Sequence, residues 1–378
     1  MRVALYHPWV YLRSGIERWM VEVINRSEHD WVVYTHHHDP AATYPEVAAL
    51  DVVELSPRIS VRRSLVPIAA AARTIASSRL PLRGEQALLI SSEGLGDLAA
   101  LRARVPVAAY CHTPLKILHD PAAAAVVRRQ STARRAALGT IGPVFSAVDR
   151  RAWRHYRHVL VNSSETLARV RAAGLRPAGP LEVLEPGVDG SWFPATVLAQ
   201  REPVFLYAGR IMWQKNIELA IEAVRRMPAN AGRLVIAGMV DEKSRPYLQQ
   251  LRALAAGLPV TFEVAPPDER LRELYRTATA LLFPARNEDF GMVLLEAMAA
   301  GTPVLAVDAG GPRTTISDGR NGWLLPPDPD AFAARMADVL AAGDRLMPLR
   351  EAARAEAGRR TWDGHVKRLD EVLAGLAD

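Results

Sequence analysis

Along the whole chain, short continuous apolar runs alternate with stretches whose apolar positions recur every three to four residues. Runs bounded by Gly, Pro or polar residues read as strands buried on both faces, and the 3.6-residue repeat reads as helices that cover them. In the first half the runs predict strands at Val3–Tyr6, Trp31–Thr35, Asp51–Leu55, Ala87–Ser91, Val107–Tyr110, Val159–Asn162 and Glu182–Glu185. In the second half they predict strands at Val204–Ala208, Arg233–Ala237, Val260–Glu263, Ala280–Pro284, Val304–Val307 and Gly322–Leu325. Strands and helices alternating in this way build parallel sheets with helices on both faces. A chain of 378 residues is too long for one ordinary core, so the pattern predicts two Rossmann-like, doubly wound α/β domains. The stretch Gly187 to Pro203 reads as their linker, between a domain over residues 1–190 and one over 203–360. An amphipathic final helix, within 361–378, carries Val366, Leu369 and Leu376. There is no short-period repeat and no long low-complexity tract.

Composition narrows the class. Hydrophobic residues at 49% and charged residues at 23% are an ordinary globular balance. No apolar run is long enough to span a bilayer, and Met1 leads straight into the first strand with no secretory leader before it. The single cysteine, Cys111, rules out an internal disulfide and fits a reducing compartment, so a cytoplasmic location is expected. The formal charge is +6. Arginines crowd the first half at Arg62, Arg63, Arg128, Arg129, Arg134, Arg135, Arg150, Arg151, Arg154 and Arg157, with a predicted helix over Ala122–Leu138. They form either a solvated face or a peripheral patch for an anionic inner-membrane face or a lipid-phosphate acceptor. Aromatic residues are not interleaved with them, which argues against nucleic acid.

Two stretches carry the candidate chemistry. In the first, a polar loop follows a strand, then a helix starts at Gly291, and seven residues separate Glu288 from Glu296. An anion at that helix start would meet unpaired amides and the positive end of the dipole, while Glu296 could reach hydroxyls of the same ligand. The alternative is two solvated glutamates flanking a core helix. In the second, Gly209 ends a strand, and Arg210 and Lys215 project from one strand–helix loop before Asn216. Arg offers a planar fork and Lys a point charge to phosphate oxygens. The alternative is two surface cations. Elsewhere, Gly15 in Ser14-Gly15-Ile16-Glu17 lets a ligand approach the first strand–helix turn or is an ordinary turn glycine. His112 ends another strand and either reaches a ligand or packs in a loop shaped by Pro114. Three further features read as structural. His36-His37-His38 reads as a solvated loop, Asp328-Pro329-Asp330 as a helix start with Asp330 as cap, and Asn162-Ser163 as another cap, so no metal site is expected.

The segment from Glu288 through Phe290-Gly291 to Glu296, followed by EAMAAGTPV, together with Gly209-Arg210-x4-Lys215-Asn216, resembles the signatures of family-4 retaining glycosyltransferases of the GT-B fold. The resemblance implies two Rossmann-like domains facing across a cleft, with the acceptor bound by the N-terminal domain and a nucleoside-diphosphate sugar, used as co-substrate, by the C-terminal one. It implies that Arg210 and Lys215 bind the diphosphate together with the backbone of Phe290, Gly291, Met292 and Val293. It further implies that Glu296 binds the ribose, that Glu288 faces the donor sugar, and that the final helix crosses back to the first domain. CHTPLKILHD resembles the histidine loop of bacterial GDP-mannose-dependent mannosyltransferases, with Lys116 where Arg is usual, and implies His112 near the reacting centre. Gly15 stands in a turn that in the family is often Gly-Gly-x-Glu, with Ser14 in place of the first glycine. The expected activity is metal-independent hexosyl transfer, with mannose from GDP-mannose the first choice and UDP- or dTDP-sugars the alternatives. The acceptor is a carbohydrate, a lipid-linked sugar or a small molecule. The rival classes are a sugar-nucleotide epimerase or phosphorylase, and a basic non-enzymatic module at a membrane.

Overall fold

The structure, a computed structural model, describes residues 1–59, 65–119, 132–228 and 231–377. It divides into two compact units, Met1–Pro186 with Trp362–Asp378, and Gly187–Thr361.

The first unit holds seven parallel strands: β1 (Arg2–Tyr6), β2 (Asp30–Thr35), β3 (Val52–Glu54), β4 (Ala87–Ser92), β5 (Val107–Cys111), β6 (Tyr156–Val161) and β7 (Leu181–Val183). Their order is β3-β2-β1-β4-β5-β6-β7, so the winding reverses between β1 and β4. The strands run Val, Leu, Ile and Ala because both faces are covered. Helix α1 (Gly15–Arg26) buries Trp19, Met20 and Val23. Of the helix expected over Ala122–Leu138, residues 122–131 lie outside the described residues, and the rest belongs to α2, Thr132–Trp153. Arg62, Arg63, Arg128 and Arg129, and the side chains of Arg134 and Arg135, also lie outside them, while Arg150, Arg151, Arg154 and Arg157 are exposed. Ser163 caps α3 (Ser164–Ala172) by accepting from the Thr166 amide. The final helix, α4 (Trp362–Ala377), packs into this unit. Its His365 accepts from the Trp19 indole N–H at 2.8 Å, and its Asp370 accepts from Ser27 at 2.7 Å.

The second unit holds β8 (Glu202–Ala208), β9 (Arg233–Gly238), β10 (Val260–Val264), β11 (Ala278–Phe283), β12 (Val304–Val307) and β13 (Gly322–Leu325), ordered β10-β9-β8-β11-β12-β13. Every strand pair is parallel, and the winding reverses between β8 and β11. The expected linker, Gly187–Pro203, is bound into this unit. Val188 donates to the Arg360 carbonyl at 2.9 Å, and the buried Arg350 donates to the Leu198 carbonyl at 2.7 Å.

Two local expectations change. Asp328, not Asp330, caps the helix Pro329–Ala342, because Pro329 has the fixed φ suited to the first helical position and the cap falls one residue earlier. Asp330 pairs with Arg226 at 2.8 Å. The histidine run is not a solvated loop: His36 is fully buried with Nδ1 on the Pro57 carbonyl, and His37 reaches the Ile59 carbonyl. Among the described residues no three or more His, Cys, Asp or Glu are grouped to hold a metal ion, and no helix is long and apolar enough to cross a membrane.

Candidate active site

In a doubly wound sheet the loops at the carboxyl ends of the two strands flanking the reversal diverge and leave a crevice. In the second unit those strands are β8 and β11, and the two motif loops follow them. After β8, Gly209 takes φ +134°, and the chain crosses β9 so closely that a Cβ on Gly238 would lie 1.7 Å from the Gly209 carbonyl oxygen. Tyr207 donates to the Arg210 carbonyl at 2.8 Å. Arg210 is exposed, and a single 3₁₀ turn, Trp213–Lys215, carries Lys215. Asn216 ends the turn in the left-handed region at φ +53° and donates through Nδ2 to the Pro284 carbonyl at 3.1 Å. That bond ties the first loop to the second. An ion pair between Lys215 Nζ and the Glu288 carboxylate, both partly buried, ties them again.

The second loop is held by bare backbone. The Gly311 amide donates to the Glu288 carbonyl at 2.8 Å. A Cβ on Gly310 would sit 2.5 Å from the Glu288 oxygen, and one on Gly311 would sit 2.5 Å from the Phe290 oxygen. Helices Glu218–Arg226 (α5), Arg245–Leu254 (α6) and Asp268–Thr277 (α7) lie on the sheet faces. Phe290 is buried, Gly291 turns the chain at φ +92°, and helix α8 begins at Met292 and ends at Ala299.

 The first amides of a helix have no partner within it, so the start of α8 presents donors and the positive end of the dipole. Glu296 lies four residues on, about 6 Å further along the helix axis, and its Oε2 accepts from the Tyr275 hydroxyl at 2.8 Å. The buried Tyr275 hydroxyl has a pKa well above its ordinary value, through burial first and the Glu296 carboxylate second, so it stays a donor. At the other end of α8 the Arg201 guanidinium donates to the carbonyls of Ala300 (2.9 Å) and Gly301 (3.0 Å), and also to those of Tyr275 (3.1 Å) and Ala278 (3.0 Å).

The structure therefore brings Arg210, Lys215, Glu288, Phe290, Gly291, Met292, Val293 and Glu296 into one unit. Gly15 and His112 belong to the other. There the reversal lies between β1 and β4, and Gly15 is the exposed first residue of α1. Ser14, where the resemblance leads one to expect glycine, is extended at φ −124° and caps the helix by accepting from the Ile16 amide at 3.2 Å, so this turn has no need of a glycine there. His112 is buried at the end of β5. Its Nε2 lies 3.0 Å from Ser91 Oγ, and its carbonyl accepts from Asn162 at 2.9 Å. Its ring meets Trp19 and Tyr110 edge-on. Burial first, then His7 and His365, hold its pKa well below the ordinary value, so the imidazole is neutral at neutral pH. Sequence reasoning missed Asn216 as a tie between loops, Tyr275, Arg201 and His7, whose Nδ1 lies 2.9 Å from the Ser91 carbonyl. Gly310-Gly311 alone carried a readable signal, since paired glycines after a strand mark close backbone approach.

A model described as Glycosyltransferase Family 4 matches residues 14–192, and one described as Glycosyl transferases group 1 matches residues 180–356. A D-inositol 3-phosphate glycosyltransferase of Xylanimonas cellulosilytica is 34% identical over 232 residues, 56% of this chain and 54% of that protein. One of Acidothermus cellulolyticus is 33% identical over 295 residues, 72% of this chain and 62% of that protein. The matches thus span little more than half the length of these curated relatives. Among solved structures, Anabaena HepE in complex with UDP superposes with a TM-score of 0.75 at 17% identity, over 99% of this chain and 100% of that one. Sucrose-phosphate synthase of Thermosynechococcus elongatus superposes at 0.74 and 21% identity, over 100% and 99%. With the two family models running together from residue 14 to residue 356, and with each unit built on a doubly wound parallel sheet, the chain belongs to the family-4 glycosyltransferases of the GT-B fold.

Proposed function

We propose that the protein transfers a hexosyl group from a nucleoside diphosphate to an acceptor hydroxyl with retention of configuration and without a metal ion. The observation that carries this reading is the joining of the two motif loops at the sheet reversal of one unit, through Lys215–Glu288 and Asn216–Pro284. Arg210 and Lys215 would meet the diphosphate, whose charge grows as the sugar–oxygen bond breaks. An ammonium has three donors, so Lys215 can serve a phosphate oxygen as well as Glu288. The amides from Phe290 to Val293 would take further phosphate oxygens, Glu296 the ribose hydroxyls, and Glu288 the hexose. Acceptor binding is assigned to the first unit, where neutral His112 can exchange hydrogen bonds with a hydroxyl without adding charge.

For the donor, the likeness of CHTPLKILHD to mannosyltransferase loops supports GDP-mannose. Gly310-Gly311-Pro312, which resembles the Gly-Gly-Pro of an α-mannosyltransferase group, supports it less, because packing against Glu288 and Phe290 demands both glycines whatever the sugar. A UDP-sugar is the second reading, favoured by the UDP complex of HepE, and the relatives' names point to a phosphorylated inositol as one acceptor to try. Thermal shift with GDP, UDP and dTDP, followed by transfer from the matching sugars and anomeric analysis of the product, tests donor and stereochemistry together. A ligand at a hundred times its Kd stabilises by about 2.7 kcal/mol, so the preferred base should stand out. Arg210→Ala and Lys215→Ala should each lower turnover about a hundredfold, or roughly 3 kcal/mol, with folding intact and with activity unaffected by excess chelator. Near-normal rates in both folded variants refute the diphosphate assignment. Donor rearrangement or phosphorolysis without an acceptor would instead point to an epimerase or phosphorylase, and a protein that binds no donor would be a scaffold.

A further inference from the structure

Tyr275 sits in the last turn of α7, outside both motif loops and with no exposed surface, yet its hydroxyl ends on the carboxylate of Glu296 at 2.8 Å. Every other part of the residue is also fixed. Its ring meets Trp192 edge-on, with centroids 5.5 Å apart at 84°. Its carbonyl accepts from the Arg201 guanidinium at 3.1 Å and also from the Thr302 hydroxyl. The same guanidinium holds the carbonyls of Ala300 and Gly301 at the far end of the helix that carries Glu296. A glutamate side chain has three rotatable bonds, and a carboxylate left to turn would lose rotamer freedom on taking a ligand. Here a rigid phenol already supplies a charge-assisted hydrogen bond to one of its oxygens.

We propose that Tyr275 is a positioning residue for nucleotide binding: it fixes the plane and rotamer of the Glu296 carboxylate so that this group accepts from the paired ribose hydroxyls, and so contributes the site's preference for a ribonucleotide. The inference rests on the reading of Glu296 as the ribose ligand. Because a bond from buried phenol to carboxylate is strong relative to a neutral one, its removal should cost roughly tenfold in affinity. That loss should appear only when the ligand has ribose hydroxyls to be received.

The experiment is calorimetry on the full chain with GDP and UDP and with their 2′,3′-dideoxy counterparts, for the parent, Tyr275→Phe and Glu296→Gln. Phe preserves the ring packed on Trp192 and removes only the hydroxyl. Tyr275→Phe should bind the preferred ribonucleotide about tenfold more weakly and the dideoxynucleotide as the parent does. Trp192→Phe, which loosens the wall behind the ring, should show a smaller loss with the same dependence on ribose hydroxyls, and it keeps the test available should Tyr275→Phe fail to fold. If Glu296→Gln keeps the parent's preference for ribose, the ribose reading itself falls. If Glu296→Gln loses that preference while Tyr275→Phe keeps it, or if Tyr275→Phe weakens both nucleotides equally, the ribose reading stands and the role of Tyr275 is overturned.

Discussion

Gly311→Ala tests whether the loop of Glu288 is positioned by bare backbone. Gly311 has an ordinary φ, so the substitution adds no backbone strain of its own; its whole effect comes from the methyl group. That methyl would lie 2.5 Å from the Phe290 oxygen, 2.6 Å from its Cα and 2.7 Å from its carbonyl carbon. All three are main-chain atoms, so no side chain can swing aside. Ordinary contact begins at 3.4 Å, and the loop must therefore retreat by about 0.9 Å. The retreat moves Glu288, the Phe290–Gly291 amides and the start of the helix together. A displacement of about 1 Å in a positioned group can cost about a hundredfold in rate, while overpacking costs only about 1–3 kcal/mol of stability. Steady-state transfer, with urea unfolding alongside, separates the two effects. Gly257→Ala is the control. At φ +76° it adds strain of about 1–2 kcal/mol, but nothing lies within 4 Å of the new methyl, so it should lose stability and keep its rate. A folded Gly311→Ala variant within threefold of the parent rate, or a Gly257→Ala variant that is equally impaired, would show that the close approach does not set the site's geometry.

Two further outcomes follow from buried groups. Arg201→Met should lower the unfolding free energy of the second unit by more than about 3 kcal/mol, since carbonyls at Ala278, Ala300 and Gly301 lose the guanidinium donor, the Tyr275 carbonyl keeping Thr302, and each unsatisfied buried group costs about 1–3 kcal/mol; Lys should not rescue it, because one ammonium cannot span the same fork, and an unchanged urea midpoint would contradict this. His365 has its pKa lowered by burial to about 4 from 6.5, so its contribution to stability is present above pH 6.5 and is lost as pH falls towards 4, by about 3 kcal/mol in full. Asp97, raised to about 7 mainly by burial, works in the opposite direction over an overlapping range, so the parent's curve alone does not isolate His365. His365→Gln keeps an amide able to replace both hydrogen bonds, and the difference between variant and parent should shrink by that amount between pH 7 and 4; a constant difference would refute the assignment.

The sheets were legible because each strand is covered on both faces. A run such as Val304-Leu305-Ala306-Val307 has no polar alternation to confuse it with a half-exposed strand, and its observed bounds match the reading. Strand ends moved by a few residues where burial outlasts the apolar run, as at Tyr156–Val161, whose Arg157 and His158 conceal its beginning. Helix α2 was less readable: its Ala-rich sequence contains Gly139, Gly142 and Pro143, which blur the period and the expected stop signals. The candidate site divides in the same way. The residues proposed to face the donor stand in two compact motifs, Gly209 to Asn216 and Glu288 to Glu296, so local spacing exposes them. The contacts that fix those motifs in place join partners far apart in the chain: Asn216 reaches across 68 positions to Pro284, Lys215 across 73 to Glu288, and Arg201 across 99 to Ala300.

That separation has a physical cause. A group that meets a diffusible ligand must cluster with others on one or two loops, because the ligand is small. A group that immobilises such a loop must come from a different element, because a loop cannot brace itself. In a parallel sheet neighbouring strands are joined by crossovers, so the brace is necessarily distant in sequence. Tyr275 illustrates the point. Its helix shows only a buried aromatic on an apolar face, and nothing in that local pattern distinguishes a phenol that fills space from one that ends on Glu296. The hydroxyl becomes informative only once the end of α7 and the start of β11 are placed beside the helix of Glu296. Arg201 belongs to the same class. In sequence it is a cation beside a Pro-containing stretch; in the fold it is a buried donor to carbonyls from both elements, with its pKa lowered to about 9 by burial and by Arg350 and Arg276, so that it is still charged at neutral pH. On the proposed reading the motifs define what the site binds, and the braces determine how accurately it is held.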